Sequence, residues 1–177
     1  LGRASVVHPE LVHEERGWIF IDNVPLVRQK AEHDCGPAAL AMVVSYLRPE
    51  LANDPFFTRA ANTRVSVRDL RDHARALGLS AFVLEGTPED LVHEIQNRRP
   101  VIAGVGKPTV RGPVFHYEVV IGFHPETRRV LMLDPAEGWL QNSFAGFIEE
   151  WQATGRVLLV VIPPAPDPTH DIFVDTR

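Results

Sequence analysis

The pattern of this chain changes at Pro100. Before it, apolar residues recur at helical spacing between capping signals. After it come four runs rich in Val, Ile and aromatics: residues 101–105, 115–123, 130–133 and 157–162. A single helical stretch, residues 144–151, interrupts these runs. Helices first and then a mostly antiparallel sheet is α+β organisation, as opposed to the alternating βαβ pattern of a parallel sheet. No internal repeat is visible.

Local signals place the elements of the first half. Residues 34–47 read as a helix, with Pro37 tolerated in its first turn and Pro49 closing its far end. Residues 54–61 give a weaker helical signal. Ser66-Val67-Arg68-Asp69 is a capping-box pattern with Asp in place of Glu, opening a helix through Leu70, Ala74 and Leu77 that stops at Gly78. Thr87-Pro88-Glu89-Asp90 opens another, with Leu91 and Ile95 on its apolar face. Upstream, residues 18–21 and 24–27 read as short extended segments around an Asp22-Asn23 turn. The expected organisation is an N-terminal arm or linker (1–17), a domain (18–163), and a Pro-rich exit and tail (164–177).

Composition excludes several classes. The apolar run Val157 to Ile162 has strand length, and no run approaches the ~20 residues that cross a bilayer. Membrane association is therefore expected only through segments outside this chain. A net charge of −5, with only two lysines among 18 basic residues, argues against a nucleic-acid surface. One cysteine rules out an internal disulfide framework and a multi-cysteine zinc site. The pairs His8/His13 and His116/His124 lack a third ligand at a recognisable spacing, so no metal is expected. Gly104 and Gly106, near Pro108 and Gly112, read as a mobile connection bordering a cleft. No Lys-Ser/Thr pair follows, so they form no phosphate loop, and no cofactor is expected. A monomer is expected. The start at Leu1 is compatible with a cytoplasmic protein and with an exported one that has lost a leader.

The one cysteine, Cys35, lies in Asp34-Cys35-Gly36-Pro37-Ala38-Ala39-Leu40, where a polar stretch becomes an apolar helix. Free cysteine commonly packs as a small hydrophobe. Here the core stripe is supplied further on by Leu40, Val43, Val44 and Leu47, and Cys35 precedes it. At a helix N-terminus, unpaired N–H groups favour the thiolate, the form that attacks carbonyls. Gly36 and Ala38 are expected to leave the approach uncrowded.

A thiolate nucleophile needs an imidazole to manage protons. Of eight histidines, His116 stands out: strand alternation puts Tyr117, Val119, Ile121 and Phe123 on one apolar face and His116 on the other. Asp134 closes the next strand and could orient that imidazole, but pairing Phe123 with Val130 sets it opposite Val119, roughly 10 Å along the strand from His116. A shifted register, a bulge or sheet twist has to close the gap; Glu118, on the same face as His116, is the alternative orienter. The side-chain amide of Gln29 and the N–H of Cys35 are candidate donors to an oxyanion. His33 reads as an exposed loop residue, His73 and His93 as solvated, and Trp18, Trp139 and Trp151 as packing residues.

Gln29, the Asp34-to-Leu40 segment, His116 in an apolar strand and Asp134-Pro135 after it together resemble the bacteriocin-processing, or double-glycine, peptidases, which are papain-like cysteine peptidases. The resemblance spans residues 24–162. It implies a papain-like fold with Cys35 as nucleophile, His116 as general base and acid, Asp134 as orienter and Gln29 as oxyanion donor. It also implies a peptide or protein substrate, cleaved after Gly-Gly in a leader or precursor. Acyl transfer to an amine, as in papain-like amidases and transpeptidases, and a peptide-binding module that does not cleave are the alternatives.

Overall fold

A computed structural model describes residues 2–58 and 64–164. In chain order the elements are β1 (Ser5–Val6), α1 (Pro9–Glu14), β2 (Ile19–Phe20), α2 (Cys35–Leu47), a 3-10 turn at Pro49–Leu51 and α3 (Pro55–Thr58). There follow α4 (Val67–Ala76), β3 (Ser80–Glu85), α5 (Pro88–Gln96), β4 (Val101–Thr109), β5 (Gly112–His124), β6 (Arg129–Asp134), β7 (Gly138–Ser143), α6 (Phe144–Gln152) and β8 (Val157–Ile162). The strands form one eight-stranded sheet in the order β1-β7-β6-β5-β4-β8-β3, with β2 added to β5. Every pairing is antiparallel. The architecture is α+β and papain-like.

Both capping boxes form. Ser66 and Thr87 each accept from the backbone N–H three residues on, and the Asp69 and Asp90 carboxylates reach back to the cap N–H. Gly78, at φ +82°, ends α4 in the left-handed conformation that glycine adopts without strain. Residues 59–61, the end of the weaker helical signal, lie outside the described residues; α3 covers Pro55–Thr58 of it.

α2 differs from an amphipathic surface helix. It is buried on all sides from Cys35 to Val44, because Ala38, Ala39, Ala41 and Met42 fill the faces that Leu40, Val43 and Val44 leave. One side lies on β5, the others on α3 and α4. Gly36 is not an open approach: a Cβ there would stand 3.2 Å from the Tyr117 ring, so the glycine lets helix and sheet close up. At about 1.5–3 kcal/mol per fully buried large apolar side chain, this helix and the sheet beneath it dominate the core.

Three further expectations are corrected. Residues 24–27 run as irregular chain, with no strand partner. The segment containing Gly104 and Gly106 is strand β4, paired along its length with β5 from Val101↔Val120 to Thr109↔Gly112. β3 and β7 are strands where no extended run was expected. β3 is an edge strand whose Phe82 and Leu84 point outward, and β7 is short and half polar. Within the N-terminal arm, β1 pairs with the edge of β7 and α1 follows it.

Candidate active site

α2 delivers Cys35 to the end of the sheet where β5 begins, and β5 delivers His116. Cys35 is only 1% exposed, so its thiol is buried, contrary to the reading that it merely precedes the core. It lies against the His116 ring. Burial pushes the thiol up, but the hydrogen bond and charge of His116 outweigh it, helped by the Tyr117 backbone and the Arg64 guanidinium, and hold the pKa below the ordinary thiol value.

His116 Nε2 is 3.0 Å from Asp134 Oδ1. That leaves Nδ1 to serve the sulfur. Burial works against an imidazolium, yet the hydrogen bonds and charges of Asp134 and Cys35 raise its pKa from 6.5 to about 9. Asp134 Oδ1 also accepts from the backbone N–H of Ala136, at 2.6 Å, and of Glu137, at 3.1 Å. Against the cost of burial, His116 and these two N–H groups hold the carboxyl well below the usual carboxylate range.

The gap between His116 and Asp134 is closed by a β-bulge. Phe123 does pair with Val130, as the hairpin implies, but the register shifts between Val120 and Gly122. Beyond the shift Val119 faces Leu133, so Asp134 falls beside Glu118, on the same face as His116 and two residues along from it. Glu118, the alternative orienter, does not bond to His116. It is fully buried and ion-paired with Lys107.

Gln29 comes from the irregular chain before α2. That chain is tied to the Asp134 turn: Gln29 N donates to Pro135 O at 3.0 Å, and the Arg28 guanidinium donates to Ala136 O. The Gln29 Nε2 donates to Ala31 O at 3.1 Å, which uses one of its two N–H bonds. Asp34 does not cap α2; its Oδ2 accepts from Ala31 N at 3.0 Å, folding the turn that presents Gln29 and Cys35.

Beside His116 and Asp134 opens a groove of about 470 Å³, lined also by Lys107, Glu150, Leu140 and Val6 of β1. Lys107 and Glu150 were missed from sequence; a lysine inside an apolar strand, in a chain with two lysines, was the available signal. Two histidines differ from expectation. His73 is paired with Asp54 at 2.8 Å and stacked on Phe56, not solvated, and His33 is half-buried.

A cysteine, a histidine and a carboxylate in series are the parts of a cysteine nucleophile site, and the peptidase C39 family profile matches residues 23–165. The chain belongs to the peptidase C39 family. Its members are cysteine peptidases, and this chain is one. Over 86% of its length the C39 chain is 29% identical to the mesentericin transport/processing ATP-binding protein MesD of Leuconostoc mesenteroides, spanning about 20% of that relative's length. Among solved structures it resembles the peptidase domain of Streptococcus ComA, a bifunctional ABC transporter involved in a quorum-sensing pathway. The TM-score is 0.58 at 25% identity, over 80% of this chain and 99% of that one. A C39-like peptidase from Bacillus anthracis shares the fold at TM-score 0.63 and 18% identity, over 84% of this chain and 98% of that one. So does a double-glycine-motif protease of an AMS/PCAT transporter bound to its leader peptide, at TM-score 0.60 and 22% identity, over 84% and 95%.

Proposed function

We propose that this C39 chain hydrolyses a leader or precursor peptide after a Gly-Gly pair, with Cys35, His116, Asp134 and Gln29 as its working residues. The observation that carries the reading is the series Cys35–His116–Asp134, in which a buried thiol and a partly buried imidazole favour each other's charged forms. The preference for Gly-Gly is supported by the relatives, one of which is a double-glycine-motif protease seen with its leader peptide.

The Cys35 thiolate attacks the scissile carbonyl carbon, forming a C–S bond and moving the π electrons onto oxygen. The Cys35 N–H and the second N–H of Gln29 Nε2 receive that oxyanion. His116 then gives its proton to the leaving nitrogen as the C–N bond breaks, and the acyl group remains as a thioester. His116, now neutral, takes a proton from water, whose oxygen attacks the thioester and releases acid and thiolate. Asp134 keeps His116 in one tautomer and orientation throughout.

Incubation with a synthetic leader peptide containing Gly-Gly, read by mass spectrometry, tests this. The expected result is two fragments split after the second glycine, absent with Cys35→Ala. A bound but intact peptide supports a binding module instead, and a product joined to an added amine supports acyl transfer.

A further inference from the structure

The reading above uses Asp134 but leaves unexplained what lies behind it. Glu118 is completely buried on the same face of β5 as His116. From β4, Lys107 Nζ pairs with its carboxyl and also lies 3.0 Å from Glu150 Oε2 of α6. From β7, Asn142 Nδ2 donates to the other oxygen of Glu150 at 3.3 Å. From β6, the register that sets Val119 opposite Leu133 brings Asp134 beside Glu118, so the two carboxyls are cross-strand neighbours. Two carboxylates side by side in a dry interior cannot both stay ionised without compensation.

The charges can be counted. The cations in the cluster are Lys107 and the His116 imidazolium, which itself faces the Cys35 thiolate of α2. Asp134 pairs with His116, and Lys107 is shared between Glu118 and Glu150, so three carboxylates divide two cations. Glu118 is the most deeply buried of the three, and a proton there lowers the excess negative charge and removes the repulsion with Asp134.

Resting on the Cys35–His116–Asp134 reading, we infer that Glu118 is a positioning residue: its protonated carboxyl donates to the Asp134 carboxylate and so fixes the acceptor that orients His116. Asp134 Oδ1 is already taken by His116, Ala136 and Glu137, and the proton of Glu118 goes to the other oxygen. Lys107, donating to Glu118 on one side and Glu150 on the other, holds that geometry from the wall of the groove. Burial and the neighbouring Asp134 push the Glu118 carboxyl up to about 7 against the opposing pull of Lys107, which keeps the donor proton in place on the acid side of neutrality. Above that, loss of the proton turns an attraction behind His116 into a repulsion.

The test follows the His116 ring of the full chain by NMR across pH 5–10, with iodoacetamide alkylation of Cys35 alongside. His116 is expected to show its own titration and, in addition, a smaller inflection near neutrality that Glu118→Gln abolishes. The amide retains a donor, so Glu118→Gln is expected to keep the alkylation rate within about threefold, whereas Glu118→Leu, with no donor, loses about tenfold or more. A wild-type His116 titration without the neutral inflection, or an inflection that persists in Glu118→Gln, overturns the inference whether or not the leucine variant folds. Failure of the underlying reading looks different: Cys35→Ser then leaves the His116 titration unmoved.

Discussion

His116 and Asp134 meet across β5 and β6 because β5 carries one more residue than its partner at Ile121, between Val120 and Gly122. In an unbroken ladder Asp134 would face Val119, and the side-chain period of two would send it to the opposite side of the sheet. A single bulged residue thus converts a structural hairpin into one that holds an imidazole and a carboxylate 3.0 Å apart.

Asp134→Asn tests what that contact does. An amide can meet His116 with either its oxygen or its N–H, so the tautomer is no longer fixed and the imidazolium loses its counter-charge. Peptide turnover is expected to fall by at least about 100-fold with the fold intact by circular dichroism. Turnover within a few-fold of wild type removes Asp134 from the mechanism.

Gln29→Ala separates oxyanion stabilisation from thiol activation. Turnover is expected to drop on the order of 100-fold, while the alkylation rate of Cys35 stays within about twofold, because alkylation builds no oxyanion. Equal losses in both measurements assign Gln29 to the packing of its turn on Pro135.

Gly122 marks the end of the bulge, and β2 crosses it closely. A Cβ there would stand 2.4 Å from Phe20 Cβ and 2.9 Å from Ile19 O. Gly122→Ala is expected to cost about 1–3 kcal/mol in urea unfolding as β2 is pushed away. An unchanged midpoint shows that β2 contributes nothing to stability.

The site also makes stability depend on pH. His116 has a folded pKa of about 9 against 6.5, so the folded state binds its proton more tightly than the unfolded chain. Its stabilisation is complete below pH 6.5 and is lost as pH rises through about 9. Asp134 runs the other way: its pKa is depressed, and its contribution is full above 3.8 and lost on acidification. The Tm gap between wild type and His116→Gln should therefore be widest near pH 6 and close above about pH 9. A gap independent of pH contradicts the raised pKa.

Local chemistry was legible in the sequence where it is self-contained. Ser66/Asp69 and Thr87/Asp90 form the boxes their spacing announces, and the hairpin pairs Phe123 with Val130. The bulge was not locatable, since Val119, Val120 and Ile121 are all apolar and all buried, and alternation carries no register signal there. β3 escaped because its exposed Phe82 and Leu84 take their meaning from pairing with β8, far along the chain. Burial of Cys35 and the Lys107–Glu118–Glu150 cluster arise from contacts between distant segments, which periodicity cannot report.

Having one cysteine gives the central claim a clean readout, because thiolate absorbs near 240 nm and the difference between wild type and Cys35→Ser isolates it. The account predicts that thiolate absorbance persists below the ordinary thiol range and that His116→Gln moves its midpoint upward, since the imidazolium is what holds the charge on sulfur. A single titration at about pH 8.5 or above, the same with and without His116, would contradict it.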